Sequence, residues 1–290
     1  MSRNLTMPCN QREQCLQLIR YMKTPTNLDI SFKCPGWWVD GNLRDILAKQ
    51  QVTSMHSPRR INSLLESLGG KKYLEVGVQR GLTFFKVEAE TRVAVDPDFL
   101  FDFEPKKAPG TELHQVTSDA YFTDIAGGQV FDFMFLDGLH EFEQTFRDFC
   151  SSQAHAHSRT VWLIDDTVPS DVYSAWPDNE KAVQLRKKAG GTGGAWHGDI
   201  FKVVFAIHDF FPTLSYVTIS TGGNSQTLVW KEPRTNFKPR FNSLETISRM
   251  TWFELQDHLD ILNRDTEQAS LERVVSGLND DHAPATDETA

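Results

Sequence analysis

What most limits the folds open to this chain is an alternation between residues 72 and 165. Short apolar runs at 72–78, 92–96, 112–117, 131–136 and 160–165 are separated by helical stretches at 81–89, 119–126 and 141–155. Strands joined by helical crossovers pair in parallel, with the helices covering the faces of the sheet. The spacing therefore predicts an α/β chain built on a doubly wound, mainly parallel sheet. Two more alternating segments, 214–220 and 226–231, flank Thr221-Gly-Gly-Asn-Ser225 and predict an antiparallel hairpin closing the sheet.

The first strand of the series runs into Tyr73-Leu-Glu-Val-Gly-Val-Gln-Arg-Gly81. Acidic Glu75 followed by Gly77 and Gly81 reads as a buried strand entering a tight turn, with a helix beyond. In open α/β sheets a nucleotide-like ligand rests at such a turn. The spacing is Glu-x-Gly-x-x-x-Gly, and the Gly-x-Gly-x-x-Gly of a pyrophosphate cradle is absent. Val93-Ala-Val-Asp96 then ends the second strand where a ribose-binding carboxylate is expected. The competing reading of this stretch alone is the turn of an ordinary strand–helix unit.

The later strand ends carry more chemistry. The fourth strand closes on Leu136-Asp137-Gly-Leu-His140 and the fifth on Ile164-Asp165-Asp166-Thr167. Asp137, Asp165 and Asp166 thus fall at the carboxyl edge, where open sheets bind ligands. Three carboxylates brought together repel one another unless a hard divalent cation such as Mg2+ neutralises them. His140 would stand beside that cation as a general base, with an unperturbed pKa of about 6.5. The competing reading, aspartates that only cap helices, suits one such residue better than three with a histidine.

The flanks are less regular. Residues 1–60 form a separate cap segment, with a helix at 11–22 and a turn, Cys34-Pro-Gly-Trp-Trp-Val-Asp40, that carries Trp37 and Trp38. Those rings are either a packing plug or a stacking surface. Ser57 and Pro58 open a helix that Gly69-Gly70 stops. The main domain spans 61–233. Within it, 167–198 is long enough to be a lid, with a charged helix at 179–189 and Gly190-Gly-Thr-Gly-Gly194 as hinge. Asp199 is expected to cap a helix whose apolar face holds Ile200, Val203, Val204, Ile207 and Phe210. Beyond Pro233, a helix is predicted over 244–262 and a frayed polar tail over 265–290.

Composition narrows the partners. A net charge of −9 argues against a nucleic-acid backbone, and no apolar run approaches the ~20 residues of a membrane span. The N-terminus lacks the apolar core of a signal peptide. Cys9, Cys15, Cys34 and Cys150 lack metal-type spacing, which points to reduced thiols in a cytoplasmic protein. A small-molecule ligand is the expectation.

Glu75-x-Gly77-x-x-x-Gly81, Asp96 and Ser118-Asp119 resemble the class I S-adenosylmethionine-dependent methyltransferases. Leu136-Asp-Gly-Leu-His-Glu-Phe-Glu143, Leu163-Ile-Asp-Asp-Thr167 and His197-Gly-Asp-Ile-Phe-Lys202 are similar to the metal-dependent branch that methylates sugar and macrolide hydroxyls. The resemblance covers about 60–232, and Asp137 and Asp165 stand 28 positions apart (165 minus 137), as in metal-dependent O-methyltransferases. It implies a seven-stranded Rossmann-like sheet and S-adenosylmethionine as cofactor. Gly77 and Gly81 would let the backbone approach the methionine part of that cofactor, and Glu75 would lie near its amino group. Asp96 would accept from the ribose, while Ser118 and Asp119 would border the adenine.

The resemblance also implies Mg2+ on Asp137, Asp165 and Asp166, His140 as base, and a homo-oligomer. The catechol-type enzymes carry Asn at the position of Asp166, which leaves the metal's identity open. The acceptor would be a sugar or other polyhydroxylated natural product. His197 stays open as the base, and Trp37, Trp38, Trp176 and Trp196 as stacking rings. A metal-independent methyltransferase and a non-catalytic binding protein of this fold are the alternatives.

Overall fold

The computed structural model describes residues 29–34, 37–42, 56–102 and 108–280. Two compact units are distinguished, Met1–Met55 and His56–Ala290. In the first, β1 (Asp29–Cys34) pairs antiparallel with β2 (Trp37–Asn42), Cys34 opposite Trp37. Trp37 and Trp38 therefore lie in a strand and not in the expected turn, in keeping with the strand preference of Trp-Trp-Val. The helix expected at 11–22 lies outside the described residues.

The second unit opens with α1 (His56–Leu68) and continues through β3 (Lys72–Val76), β4 (Thr91–Val95), β5 (Thr111–His114) and β6 (Phe131–Leu136). Next come α2 (Phe142–Ser152), β7 (Ala156–Ile164), α3 (Asn179–Lys188), α4 (Phe201–Phe210), β8 (Ser215–Ile219) and β9 (Gln226–Trp230). The chain ends in α5 (Leu244–Ser248), α6 (Trp252–Asp257), β10 (Arg264–Asp265) and α7 (Glu267–Asp280). One sheet runs in the order β10-β8-β9-β7-β6-β3-β4-β5. From β5 to β7 it is parallel, and β9 runs antiparallel to both β7 and β8. The fold is thus the predicted Rossmann-like α/β sheet with its antiparallel hairpin, extended by two-residue β10 alongside β8.

Central strands of a doubly covered sheet bury both sides. Leu74, Val76, Met134, Leu136, Trp162 and Ile164 face one core, with α2 and α4 packed over it. Tyr73, Phe133, Phe135, Val161 and Leu163 face the other, under α1 and the buried Val274 and Leu278 of α7. Phe142 and Phe149 are buried and Phe146 partly so, the docking stripe that the spacing predicts.

Four local expectations are corrected. The helix at 81–89 shrinks to one 3₁₀ turn, Phe84–Lys86, because Gly81 enters it in the left-handed region at φ 69°. Asp199 does not cap its own helix. Its Oδ1 accepts the Phe142 N–H at 2.6 Å, so it caps α2, while its Oδ2 accepts from Lys202 Nζ at 2.7 Å. The helix at 244–262 is broken after Ser248 and restarts at Thr251, whose capping box with Glu254 satisfies the first N–H groups of α6. The tail expected to fray from 265 is helical to Asp280, with Ser270, Val274 and Leu278 buried.

Candidate active site at the carboxyl edge of the sheet

Register builds the site. Val76 lies opposite Val95 and Leu136, and Leu136 opposite Ile164, so these residues share one rung. The next residues on the four strands are Gly77, Asp96, Asp137 and Asp165. The ladder carries them too: Gly77 N–H donates to Val95 O at 2.9 Å, Asp137 N–H to Val76 O at 2.8 Å, and Asp165 N–H to Leu136 O at 3.1 Å. Strands about 4.8 Å apart therefore line these carboxylates along one edge. Asp166 follows at φ 57° and Gln79 sits in the glycine turn at φ 45°. Left-handed, non-glycine residues of this kind concentrate where function over-determines the backbone.

The glycine turn has a clear local cause. A Cβ on Gly77 would lie 1.9 Å from the Asp137 carbonyl oxygen, and one on Gly81 2.3 Å from the Phe85 ring. Both glycines are demanded by the chain itself before any ligand is invoked. Asp96 ties the turn down, its two oxygens accepting the N–H groups of Gln79 and Asp98, each at 2.7 Å. Glu75 is the unusual member. It is buried with the Tyr73 hydroxyl donating to it at 2.5 Å, and burial, then the nearby Asp137, Asp96 and Asp165, push its carboxyl pKa well up. A buried carboxyl group this poorly supplied with donors is suited to receive a cationic group.

Asp137, His140, Asp165, Asp166, Trp196 and His197 come together. His140 Nδ1 lies 3.0 Å from Asp166 Oδ2, and its Nε2 lies 3.5 Å from Asp137 Oδ1. The first contact is out of line for a hydrogen bond, and Nδ1 is left without one. Trp196 stacks on the imidazole at 4.9 Å and 15°. Gly198 backs the same residue, since a Cβ there would meet the His140 carbonyl oxygen at 1.6 Å. His197 Nε2 stands 3.8 Å from the other oxygen of Asp166.

Charge sets the protonation states. Burial alone would lower the His140 pKa, but Asp137 and Asp166 outweigh it and push it up to about 11. Burial likewise works against the Asp166 carboxylate, and His140, His197 and Asn224 reverse that to hold its pKa below the usual range. Asp165, buried and repelled by Asp137 and Asp166, is pushed well up. His197 is lowered, mainly by burial. The arrangement thus holds an imidazolium at His140 and a neutral ring at His197, the reverse of what a base at His140 requires.

The metal expectation meets this geometry only in part. Three carboxylates offer the hard oxygen donors that Mg2+ prefers. Yet Asp165 Oδ1 already accepts from Asn224, Gln226 and the Asp166 N–H, and His140 lies against both other aspartates. Among the described residues, no group of three or more His, Cys, Asp or Glu side chains is arranged to hold a metal ion.

Ser118 and Asp119 sit with α2. Gln144 donates to Ser118 Oγ at 3.2 Å, and Arg147 Nε donates to Asp119 Oδ1 at 3.0 Å. The 167–198 connection is bound to itself. Buried Arg186 donates to Asp171 at 2.9 Å and to the Ala195 carbonyl at 2.8 Å, while Trp196 Nε1 donates to the Trp176 carbonyl at 2.6 Å. Trp196 therefore spends one face on His140, and Trp176 remains exposed.

Sequence reasoning passed over Asn224, Gln226 and Arg60. Asn224 lies within the turn Thr221–Ser225 and Arg60 within the helix that Ser57 opens, and neither is singled out there. The available signals were a polar side chain opening a fully buried strand, and a cation next to Ile61 and four residues before Leu64.

No protein-family model matches the chain, and no curated protein matches it in sequence. Solved structures of similar fold include O-methyltransferases. The O-methyltransferase from Bacillus cereus in complex with SAH is 14% identical, with a TM-score of 0.45 over 78% of this chain and 92% of that one. The O-methyltransferase TomG from Streptomyces achromogenes, involved in tomaymycin synthesis and in complex with SAM, is 13% identical, with a TM-score of 0.39 over 63% and 79%. Cofactor-bound Rv0187 from MTB is 14% identical, with a TM-score of 0.44 over 79% and 100%.

Proposed function

We propose that this protein is an S-adenosylmethionine-dependent O-methyltransferase acting on a hydroxyl of a small polyhydroxylated compound, of which a sugar is the leading class. The observation that carries the reading is the shared rung, with Gly77, Asp96, Asp137 and Asp165 aligned above the buried Glu75. The cofactor supplies a methyl group on a positively charged sulfur. Glu75 would face its amino group, the Gly77–Gly81 turn its methionine backbone, and Asp96 its ribose, through the lone pairs its two N–H donors leave free. Ser118 and Asp119 would border the adenine. The acceptor oxygen attacks the methyl carbon in line as the carbon–sulfur bond breaks, and its proton leaves to a histidine.

Which histidine takes it depends on the neutralisation of the carboxylates. Asp137, Asp165 and Asp166 would hold a hard divalent cation, which when bound lowers the pKa of a coordinated hydroxyl and orients it. Were those carboxylates neutralised so, His140 would lose what keeps it protonated and would be available as base. A second reading, without metal, is favoured by the His140 imidazolium between Asp137 and Asp166. His140 then supplies the positive charge itself, and the neutral His197 is the base.

Calorimetry with S-adenosylmethionine tests the family reading, and the absence of micromolar-range binding would sink it. Titrating Mg2+ into wild type and Asp165→Ala, both saturated with S-adenosylhomocysteine, separates the two branches. Equal metal affinity in both proteins ends the metal reading.

A further inference from the structure

The β8–β9 turn and the first residue of β9 bring two amides, Asn224 and Gln226, onto the aspartates. Asp165 Oδ1 accepts Asn224 Nδ2 at 2.7 Å, Gln226 Nε2 at 3.0 Å and the Asp166 N–H at 2.9 Å. Asn224 Nδ2 also donates to Asp166 Oδ1, so a single amide bridges both carboxyl groups. Three donors on one oxygen fix how the Asp165 carboxyl is turned, and the bridge fixes the second carboxyl against it.

The direction of the Gln226 amide is decided from behind. Arg60 is wholly buried, and its Nη1 lies 2.6 Å from Gln226 Oε1. A guanidinium only donates, so the amide oxygen must face Arg60 and the NH2 must face away from it. That NH2 meets Ser57 Oγ at 2.7 Å and Asp165. Arg60 Nη1 also donates to the Asn224 carbonyl at 2.8 Å and Nη2 to the Thr221 carbonyl at 3.0 Å. The same cation therefore orients one amide through its side chain and holds the main chain of the other. Glu267, in the first turn of α7, accepts from Arg60 Nε at 2.8 Å and completes the set.

Resting on the methyl-transfer reading above, we propose that Asn224 and Gln226, oriented by Arg60, are positioning residues. They clamp Asp165 and Asp166 in the carboxyl orientations that the acceptor site and His140 require. The competing account is that Gln226 only satisfies the buried Arg60.

Three variants separate these accounts at one pH with divalent cations chelated, read by the ring-nitrogen resonances of His140, which stands against Asp166. Asn224→Ala, on the partly exposed turn, is expected to shift those resonances while thermal melting and S-adenosylmethionine affinity stay close to wild type. Gln226→Leu, which strips the buried Arg60 of an acceptor, should shift them together with a lowered melting temperature. Gln226→Glu keeps an acceptor for Arg60 but cannot donate to Asp165 as a carboxylate. It should shift His140 while losing less melting temperature than Gln226→Leu, since Arg60 faces the new carboxylate. Wild-type His140 resonances in Gln226→Glu or Asn224→Ala overturn the clamp, as do shifts that appear only together with lost melting temperature. Wild-type protein that fails to bind S-adenosylmethionine overturns the methyl-transfer reading, an outcome distinct from either clamp result.

Discussion

The sharpest consequence of the geometry concerns the proton on His140, and Asp166→Asn is the perturbation that isolates it. The substitution keeps size and removes the charge 3.0 Å from Nδ1. Raising a histidine from 6.5 to about 11 at 1.36 kcal/mol per pH unit corresponds to about 6 kcal/mol of preference for the imidazolium. Asp137 and Asp166 share that preference, so losing one should return about 3 kcal/mol, roughly a hundredfold in proton affinity. In the chelated wild-type protein the His140 ring resonances should stay those of an imidazolium from pH 5 to pH 9, and in Asp166→Asn the pKa should fall by about two units.

Linkage gives the stability side of the same claim. The folded pKa is raised, so the contribution is complete below the unfolded value of about 6.5 and declines as pH rises toward about 11. By pH 9 the wild type should have lost about 3 kcal/mol of it, and at pH 6 Asp166→Asn should be less stable than wild type by about 3 kcal/mol in urea denaturation. A wild-type His140 titrating near 6.5 with cations chelated would refute the reasoning. If Mg2+ occupies the carboxylates, adding it must lower the His140 pKa.

Other perturbations test separate links. Gly77→Ala forces a Cβ onto the Asp137 carbonyl at positive φ, and denaturant titration should show a loss of about 3 kcal/mol or more. Glu267→Ala leaves the buried Arg60 without its counter-ion and should cost about 3–5 kcal/mol by the same measurement, which a frayed α7 would not. Arg186→Ala removes the tie between Asp171 and Ala195, so limited proteolysis should cut within 167–198 faster while global melting changes little. Thr251→Ala removes the capping box of α6 and should cost about 1 kcal/mol in thermal melting.

The sheet edge was legible because four of the strands, those leading to Gly77, Asp96, Asp137 and Asp165, are short apolar runs that stop abruptly at a glycine or an acidic residue. The Thr251-Trp-Phe-Glu254 signature was equally present, and the apolar positions of 244–262 masked it as one continuous helix. In α7, Ser270, Val274 and Leu278 recur at every fourth residue, a helical stripe hidden by the polar composition around it. Asn224, Gln226 and Arg60 are a different matter. Their meaning lies in contacts between residues more than 160 positions apart in the case of Arg60 and Gln226, and no local pattern encodes that. The protonation of His140 is likewise non-local, since it follows from its distances to two aspartates on two different strands.

Charge balance gives the strongest physical argument for what belongs at this edge. Glu75, Asp96, Asp137, Asp165 and Asp166 crowd five carboxyl groups onto one end of four strands, and His140 is a cation in contact with two of them, Asp137 and Asp166. Burial and mutual repulsion push Glu75, Asp137 and Asp165 upward, so the edge is under-supplied with positive charge as it stands. An anionic ligand such as a dinucleotide pyrophosphate would deepen that deficit. A ligand bearing an ammonium and a sulfonium would relieve it at Glu75, and a divalent cation would relieve it at the three aspartates. The same logic places His140 and a metal in competition for one task, the neutralisation of Asp137 and Asp166. Binding of the metal must therefore release the His140 proton, and a calorimetric Mg2+ titration in buffers of different ionisation enthalpy should report that release as a buffer-dependent heat. Metal binding with no proton released would mean that the two act independently, and His140 would then lose its claim to be the base.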